Sequence, residues 1–211
     1  MAAARKDPSR IVRDGYDRMA PRYLKARSRG LPDPPLLSEF SRLLPPRAMV
    51  LDAGCGAGLP VTKTLSQDHR VIGIDFSLGQ LRLARQSVPE AQFVCQDMGR
   101  LAFPNGIFDG ICTFYAILHI PRERHEALLV DFYRLLKTPG YALLTLGADD
   151  NQADRGSYFG EYMFWSHFDK AAYLRMLDRI GFQLLRSRRF PDPITREGHH
   201  LFTLVRKGGA I

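Results

Sequence analysis

The chain has 211 residues, 45% of them hydrophobic, and a formal net charge of +8. That length allows about one domain with a full core. No apolar run approaches the roughly 20 residues of a membrane span, and residues 1–6 lead into no apolar core of a secretory signal, so a cytoplasmic protein is expected.

Lys and Arg outnumber Asp nine to three in residues 1–30, and Arg186, Arg188 and Arg189 form a second basic cluster. Such balances mark some nucleic-acid binders. Here aromatic residues are not interleaved as a stacking platform needs, so both clusters read as solvated faces and nucleic acid is not the expected partner. Ile11, Val12, Tyr16, Met19, Tyr23 and Leu24 recur at helical spacing and predict an amphipathic helix over 9–27, kinked or split in two by Pro21. Residues 31–35, Leu-Pro-Asp-Pro-Pro, are a breaker before a short helix over 36–44. From 48 to 146 strands and helices alternate at a βαβ rhythm, which implies a parallel sheet with helices on both faces.

The strand ends carry the chemistry. Val50-Leu51-Asp52-Ala53-Gly54-Cys55-Gly56-Ala57-Gly58 is a hydrophobic strand that meets an acid and then three glycines on alternate positions. Glycines remove side chains, so backbone N–H groups and the next helix can approach a ligand. A dinucleotide fingerprint would want its third glycine at Leu59. Val71-Ile72-Gly73-Ile74-Asp75 is a second strand ending in an acid, and Phe93-Val94-Cys95-Gln96-Asp97-Met98 a third. Residues 108–114 form a fourth, followed by Leu118-His119-Ile120-Pro121. Residues 136–146 read as a helix end, a turn and a fifth strand. Residues 147–167 are a polar, then aromatic, insertion. A helix over 169–179 is ended by Gly181. Two more strands, 182–189 and 201–206, flank Phe190-Pro191-Asp192-Pro193. Cys55, Cys95 and Cys112 lack metal-ligand spacing and read as reduced core thiols.

In this order the motifs resemble those of class I S-adenosylmethionine-dependent methyltransferases across residues 50–146. The chain departs from the family at 137–141, where Lys-Thr-Pro-Gly-Tyr stands for Lys-Pro-Gly-Gly. The resemblance implies an α/β, Rossmann-like seven-stranded sheet of order 3-2-1-4-5-7-6 with strand 7 antiparallel. A helical lid (1–45) would precede a core (46–211) whose substrate-pocket insertion spans about 147–167, all in one structural domain. It implies S-adenosyl-L-methionine as cofactor and S-adenosyl-L-homocysteine as product. Gly54, Cys55 and Gly56 would face the amino-acid end, with Asp52 at its ammonium. Asp75 would take the ribose hydroxyls, with Phe76 over the adenine, Asp97 and Met98 at the adenine, and Phe114 toward the sulfonium. Tyr16-Asp17-Arg18-Met19-Ala20-Pro21-Arg22-Tyr23 is similar to the family's Y-D-x-x-A-x-x-Y run, where the helix closes over the cofactor. Tyr16 and Tyr23 are two turns apart and share a face, Tyr16 toward the cofactor and Tyr23 toward the reaction.

The implied reaction moves a methyl group to an O, N or S nucleophile of a small organic molecule. Histidine is the natural base near neutral pH. His69 falls on the opposite edge and His125 on an exposed helix position. His119, His167, His199 and His200 fall at the ligand face, the last two because an antiparallel final strand begins there. His119, His167 and His199, with Tyr23, are the catalytic candidates. Tyr115, Tyr158, Trp165 and His200 are the acceptor-pocket candidates. Strand alternation turns one of His199 and His200 to the site and the other away. Ser166 or His167 could instead cap the helix that begins at 169. No His pair has zinc spacing, so no metal is expected. Two other functions stay open. One is an RNA or protein methyltransferase using the basic N-terminus, disfavoured by Phe114-Tyr115-Ala116-Ile117 where many such enzymes carry Asn-Pro-Pro-Tyr. The other is a cofactor-binding partner subunit without catalysis. No membrane partner is expected, and the oligomeric state is not legible.

Overall fold

A computed structural model describes residues 7–28, 36–192, 194 and 198–208. Residues 1–6, the breaker at 31–35 and Pro193 therefore lie outside the described residues. Helix α1 (Pro8–Arg27) is capped by Asp7, whose carboxylate accepts the Ser9 N–H at 3.1 Å. Of the two alternatives at Pro21 the split does not occur, and α1 runs through it as one helix. Proline removes one backbone bond, but the helix is tied down from outside. Asp17 Oδ1 accepts the Ser77 hydroxyl at 2.7 Å and the Gly79 N–H at 2.8 Å, and Ile11, Val12, Met19 and Ala20 are buried.

The chain continues through α2 (Leu37–Leu43), β1 (Met49–Ala53), α3 (Val61–Leu65), β2 (Arg70–Asp75), α4 (Leu78–Ser87), β3 (Gln92–Cys95), β4 (Phe108–Thr113), α5 (His125–Leu135) and β5 (Leu136–Gly147). It then forms β6 (Asn151–Tyr158), β7 (Glu161–His167), α6 (Lys170–Ile180), β8 (Phe182–Pro191) and β9 (His199–Lys207). Seven strands make one sheet in the order β3-β2-β1-β4-β5-β9-β8, and β6 and β7 make a separate hairpin. β1 to β5 run parallel, and β9 is antiparallel to β5 and β8. With the hairpin set aside, this is the expected 3-2-1-4-5-7-6 order. Pairing of Ala53 with Ile74 and of Asp75 with Cys95 brings the first three strand ends to one rim.

Phe132 and Tyr173 of α5 and α6 pack with Ile111 and Leu144 in one core cluster. Phe40 and Leu65 of α2 and α3 pack with Val50 and Leu143 in the other. Val12 and Met19 of α1 meet Met163 and Phe164 of the hairpin in a third. Gly15 is required there, because a Cβ on it would collide with the Met163 sulfur.

Several local expectations change. β3 stops at Cys95, so Asp97 sits in the following loop. Cys95 is exposed, because β3 is an edge strand, whereas Cys55 and Cys112 are buried. β5 begins directly after α5 and absorbs the expected turn as an irregular first half, with its register to β4 shifted between Phe108 and Gly110. His125 is fully buried rather than exposed. Its Nδ1 accepts the Tyr173 hydroxyl at 2.7 Å and its Nε2–H donates to the Ile120 carbonyl at 2.8 Å. Burial pushes its pKa down to about 4. Asp169, not Ser166 or His167, caps α6 by accepting the Ala172 N–H at 2.7 Å, and Gly181 ends the helix at φ 102° as expected. The insertion is a hairpin turning at Phe159 (φ 51°) and Gly160 (φ 80°), a two-residue loop of the left-handed kind hairpins favour. No helix among the described residues is long and apolar enough to cross a membrane.

Candidate functional site

The glycine loop after β1 is built on left-handed backbone, with φ of 77°, 54° and 80° at Gly54, Gly56 and Gly58. Only glycine adopts this without steric cost. The Gly54 and Cys55 N–H groups donate to the Ile74 carbonyl at 2.8 and 3.0 Å, which ties the loop to the end of β2. A Cβ on Gly54 would run into Ala116 and Met98, so the loop is a cradle that a side chain would fill. Asp75 Oδ2 accepts the Gly56 N–H at 3.0 Å and Oδ1 accepts the Ser77 N–H at 2.9 Å. Each oxygen keeps a lone pair for a further donor. Burial pushes the Asp75 pKa up to about 6 despite those two bonds. Asp52 is also raised to about 6 by burial, although its carboxylate accepts the Thr62 hydroxyl at 2.6 Å.

A cavity of about 990 Å³ of atom-free space, counting its open mouth, runs along these strand ends. All the residues expected at the cofactor line it: Tyr16, Asp52, Gly54, Cys55, Gly56, Asp75, Phe76, Asp97, Met98 and Phe114. Asp97 also accepts the Gly99 N–H at 2.8 Å, so it shapes its own turn. A glycine cradle, a doubly anchored carboxylate with spare lone pairs, and apolar walls at Phe76 and Met98 suit a nucleoside bearing an amino-acid tail. Helix α1 roofs the cavity through Val12, Tyr16, Tyr23 and Arg27.

A second cavity, about 1350 Å³ on the same measure, lies between α1, the hairpin and the start of β9. His119, His167, His199, His200, Tyr23, Tyr115, Tyr158 and Trp165 all line it. Tyr16, Tyr23, Arg27, Tyr115 and His119 line both cavities and form the seam between them. His199 and His200 both border the cavity, His199 exposed and His200 half-buried. They open β9 at its rim, where the cavity wraps around the strand end.

The histidines differ in how they are held. His119 Nδ1–H donates to the Phe164 carbonyl at 2.8 Å, which leaves Nε2 to accept the Tyr16 hydroxyl at 2.9 Å. Burial lowers its pKa to about 4, so it is neutral at pH 7. His167 Nδ1–H donates to the Asp149 carbonyl at 2.7 Å, and burial lowers its pKa too. His200 Nε2–H donates to Asp192 Oδ2 at 2.9 Å. His199 is exposed. His69 lies apart, bonded to the Ser41 hydroxyl at 2.9 Å.

Aromatic rings build the walls. Tyr16 and Tyr23 meet edge-on with centroids 5.4 Å apart, and Tyr158 and Trp165 at 6.1 Å. Tyr115 is left-handed at φ 57°, a costly conformation for a bulky residue. It places the ring 5.1 Å from the Arg27 guanidinium and 4.8 Å from the His200 ring.

Sequence reasoning missed Arg27, which is buried on the seam. It lies four residues after Tyr23, so helical spacing already placed it on the same face. It also missed Asp17, which anchors α1 to the start of α4. The acidic residues Asp149, Asp150, Asp154 and Asp192 around the second cavity carried no local pattern to find them by.

Residues 50–140 match the family described as a methyltransferase domain. A demethylmenaquinone methyltransferase of Symbiobacterium thermophilum is 32% identical over 131 residues, 56% of this chain and 49% of that protein. An 18S rRNA (guanine-N(7))-methyltransferase of Arabidopsis thaliana is 36% identical over 98 residues, 41% of this chain and 34% of that protein. The chain thus spans half or less of the length of these curated relatives. A solved Burkholderia thailandensis 1,6-didemethyltoxoflavin-N1-methyltransferase, with bound 1,6-didemethyltoxoflavin and S-adenosylhomocysteine, has a TM-score of 0.74 at 20% identity, covering 99% of this chain and 94% of its own. At that identity the likeness is one of fold.

Proposed function

We propose that this chain, whose residues 50–140 match a methyltransferase domain, is a class I S-adenosylmethionine-dependent methyltransferase that methylates an O, N or S nucleophile of a small organic molecule seated in the second cavity. The observation that carries this reading is the shared seam: five residues wall both the cofactor cavity and its neighbour. Two ligands, one on each side, would meet there.

Asp75 would hold the ribose hydroxyls, Asp97 the adenine amino group, and Asp52 the ammonium. Arg27, a buried cation on the seam, suits the carboxylate. The bound cofactor supplies an electrophilic methyl group on a sulfonium. The protein's part is to align the acceptor, exclude water and move one proton. Met163 and Phe164 pack against Met19 of α1, and Tyr23, Tyr158 and Trp165 offer flat apolar faces beside the histidines and aspartates of the cavity, the mixture of aromatic walls and polar groups that a small ligand needs.

A polyanion fits less well. Asp149, Asp150, Asp154 and Asp192 border the second cavity. Several basic side chains are already engaged: Arg18 and Arg22 with Glu161, Arg186 with Glu39 and Arg189 with Asp149. The test is calorimetric titration with S-adenosylmethionine, then incubation with isotopically labelled donor and either metabolites below 1 kDa or total RNA. Saturable cofactor binding with label in the metabolite fraction is expected. Label in RNA alone, or in neither, would overturn the reading.

A further inference from the structure

We infer that His200 is the base that accepts the acceptor's proton, oriented and charge-balanced by Asp192; this rests on the small-acceptor reading above. The two side chains are 15% and 16% exposed and joined at 2.9 Å. A carboxylate accepts, so Nε2 carries the hydrogen and Nδ1 presents a bare lone pair. That Nδ1 is buried and has no hydrogen-bond partner among the described residues. A buried acceptor without a donor is costly and uncommon. His200 lines the cavity, and an acceptor that parts the side chains covering Nδ1 would supply the missing donor with its X–H group. A histidine held by a carboxylate on one nitrogen and open on the other is the general-base arrangement of hydrolytic triads, reached on many folds.

The other histidines are less suited. Both His119 nitrogens are already engaged. His167 leans on the Asp149 carbonyl, a neutral dipole that balances an imidazolium less well than a carboxylate does. His199 is exposed. His200 also packs edge-on against Tyr115, whose ring borders both cavities. It therefore stands next to the seam where a methyl group would cross.

The step balances. The acceptor heteroatom's lone pair forms the bond to the methyl carbon, and the carbon–sulfur pair stays on sulfur, which becomes a neutral thioether. The heteroatom's proton passes to His200 Nδ1. The imidazolium so formed faces the Asp192 carboxylate and returns its proton to water once product has left.

Two measurements test this on the full chain. In histidine-labelled protein, multiple-bond proton–nitrogen spectra should show His200 as the Nε2–H tautomer, assigned by its loss in His200→Gln, and Asp192→Asn should shift those signals. With labelled S-adenosylmethionine and metabolites below 1 kDa as the acceptor pool, His200→Gln should lower methyl transfer by about 10²–10⁴-fold, the usual range for a general base. Its cofactor affinity should stay within twofold, and added imidazole should restore part of the rate. Asp192→Asn should lower transfer roughly tenfold or more. A wild-type Nδ1–H tautomer, or a His200→Gln rate within threefold of wild type, overturns the assignment alone. A wild-type protein that transfers no label overturns the small-acceptor reading and this assignment with it. If His200→Gln does not fold, the wild-type tautomer and Asp192→Asn decide.

Discussion

The two cavities are made in different ways. The cofactor side is largely built by strand ends and the turns that follow them, each contributing residues close together in sequence: Asp52 to Gly58, Asp75 to Ser77, Asp97 to Gly99. The acceptor side is built by pieces far apart, with Tyr16, Tyr23 and Arg27 from α1, Tyr158 and Trp165 from the hairpin, and His199 and His200 from the last strand. Local construction makes the first half readable, and its strand ends fall within the stretch that matches the methyltransferase domain. Long-range construction lets the second half vary while the sheet stays the same.

The largest expected effect falls on the cofactor side. Asp75→Ala removes a carboxylate that would take two ribose hydroxyls and strands the Gly56 and Ser77 N–H groups. Calorimetry should show about a hundredfold loss of S-adenosylmethionine affinity, on the order of 2–3 kcal/mol. Retention within threefold would break the contrast between the halves. The support beneath both halves comes next. Tyr173→Phe leaves buried His125 Nδ1 without its donor, so urea unfolding should show a loss of about 1–2 kcal/mol, with cofactor affinity little changed. Acid should then weaken the cofactor side. Asp52 and Asp75 are raised by burial to about 6, so both are mostly ionised above pH 7 and protonate below 6. A cationic ammonium and ribose donors favour the ionised forms. Affinity should be level from pH 8 to 7 and drop about tenfold by pH 5.5, where two groups of pKa about 6 are each only about a quarter ionised. A flat profile would mean that the ionised carboxylates do not hold the ligand. The smallest effect sharpens the division. Trp165→Ala touches the second cavity alone, so cofactor affinity should stay within twofold while methyl transfer falls.

Histidine chemistry shows where reading by position stops. His119, His167, His199 and His200 were all legible as residues of the ligand face, and all four border the second cavity. Their hydrogen-bond partners were not legible. The Phe164 carbonyl that fixes the His119 tautomer is 45 residues away in sequence, and it arrives because Met163 and Phe164 pack under α1. His125 was misread because its helix position says nothing of Tyr173, 48 residues on. Arg27 shares the Tyr23 face by helical spacing, but nothing local marks it for burial among the nine basic residues of the first thirty.

By itself the amino-acid sequence determined the alternation of strands and helices, the left-handed glycine loop and the acids at successive strand ends. These follow from periodicity, φ preference and strand termini, which act within a few residues. Tertiary structure alone decided that α1 and the hairpin close a second cavity, and that Tyr115 takes a strained turn against Arg27 and His200. Those contacts depend on burial shared between distant segments, and no local pattern encodes which distant groups burial will bring within 3 Å of one another, as it does His119 and the Phe164 carbonyl.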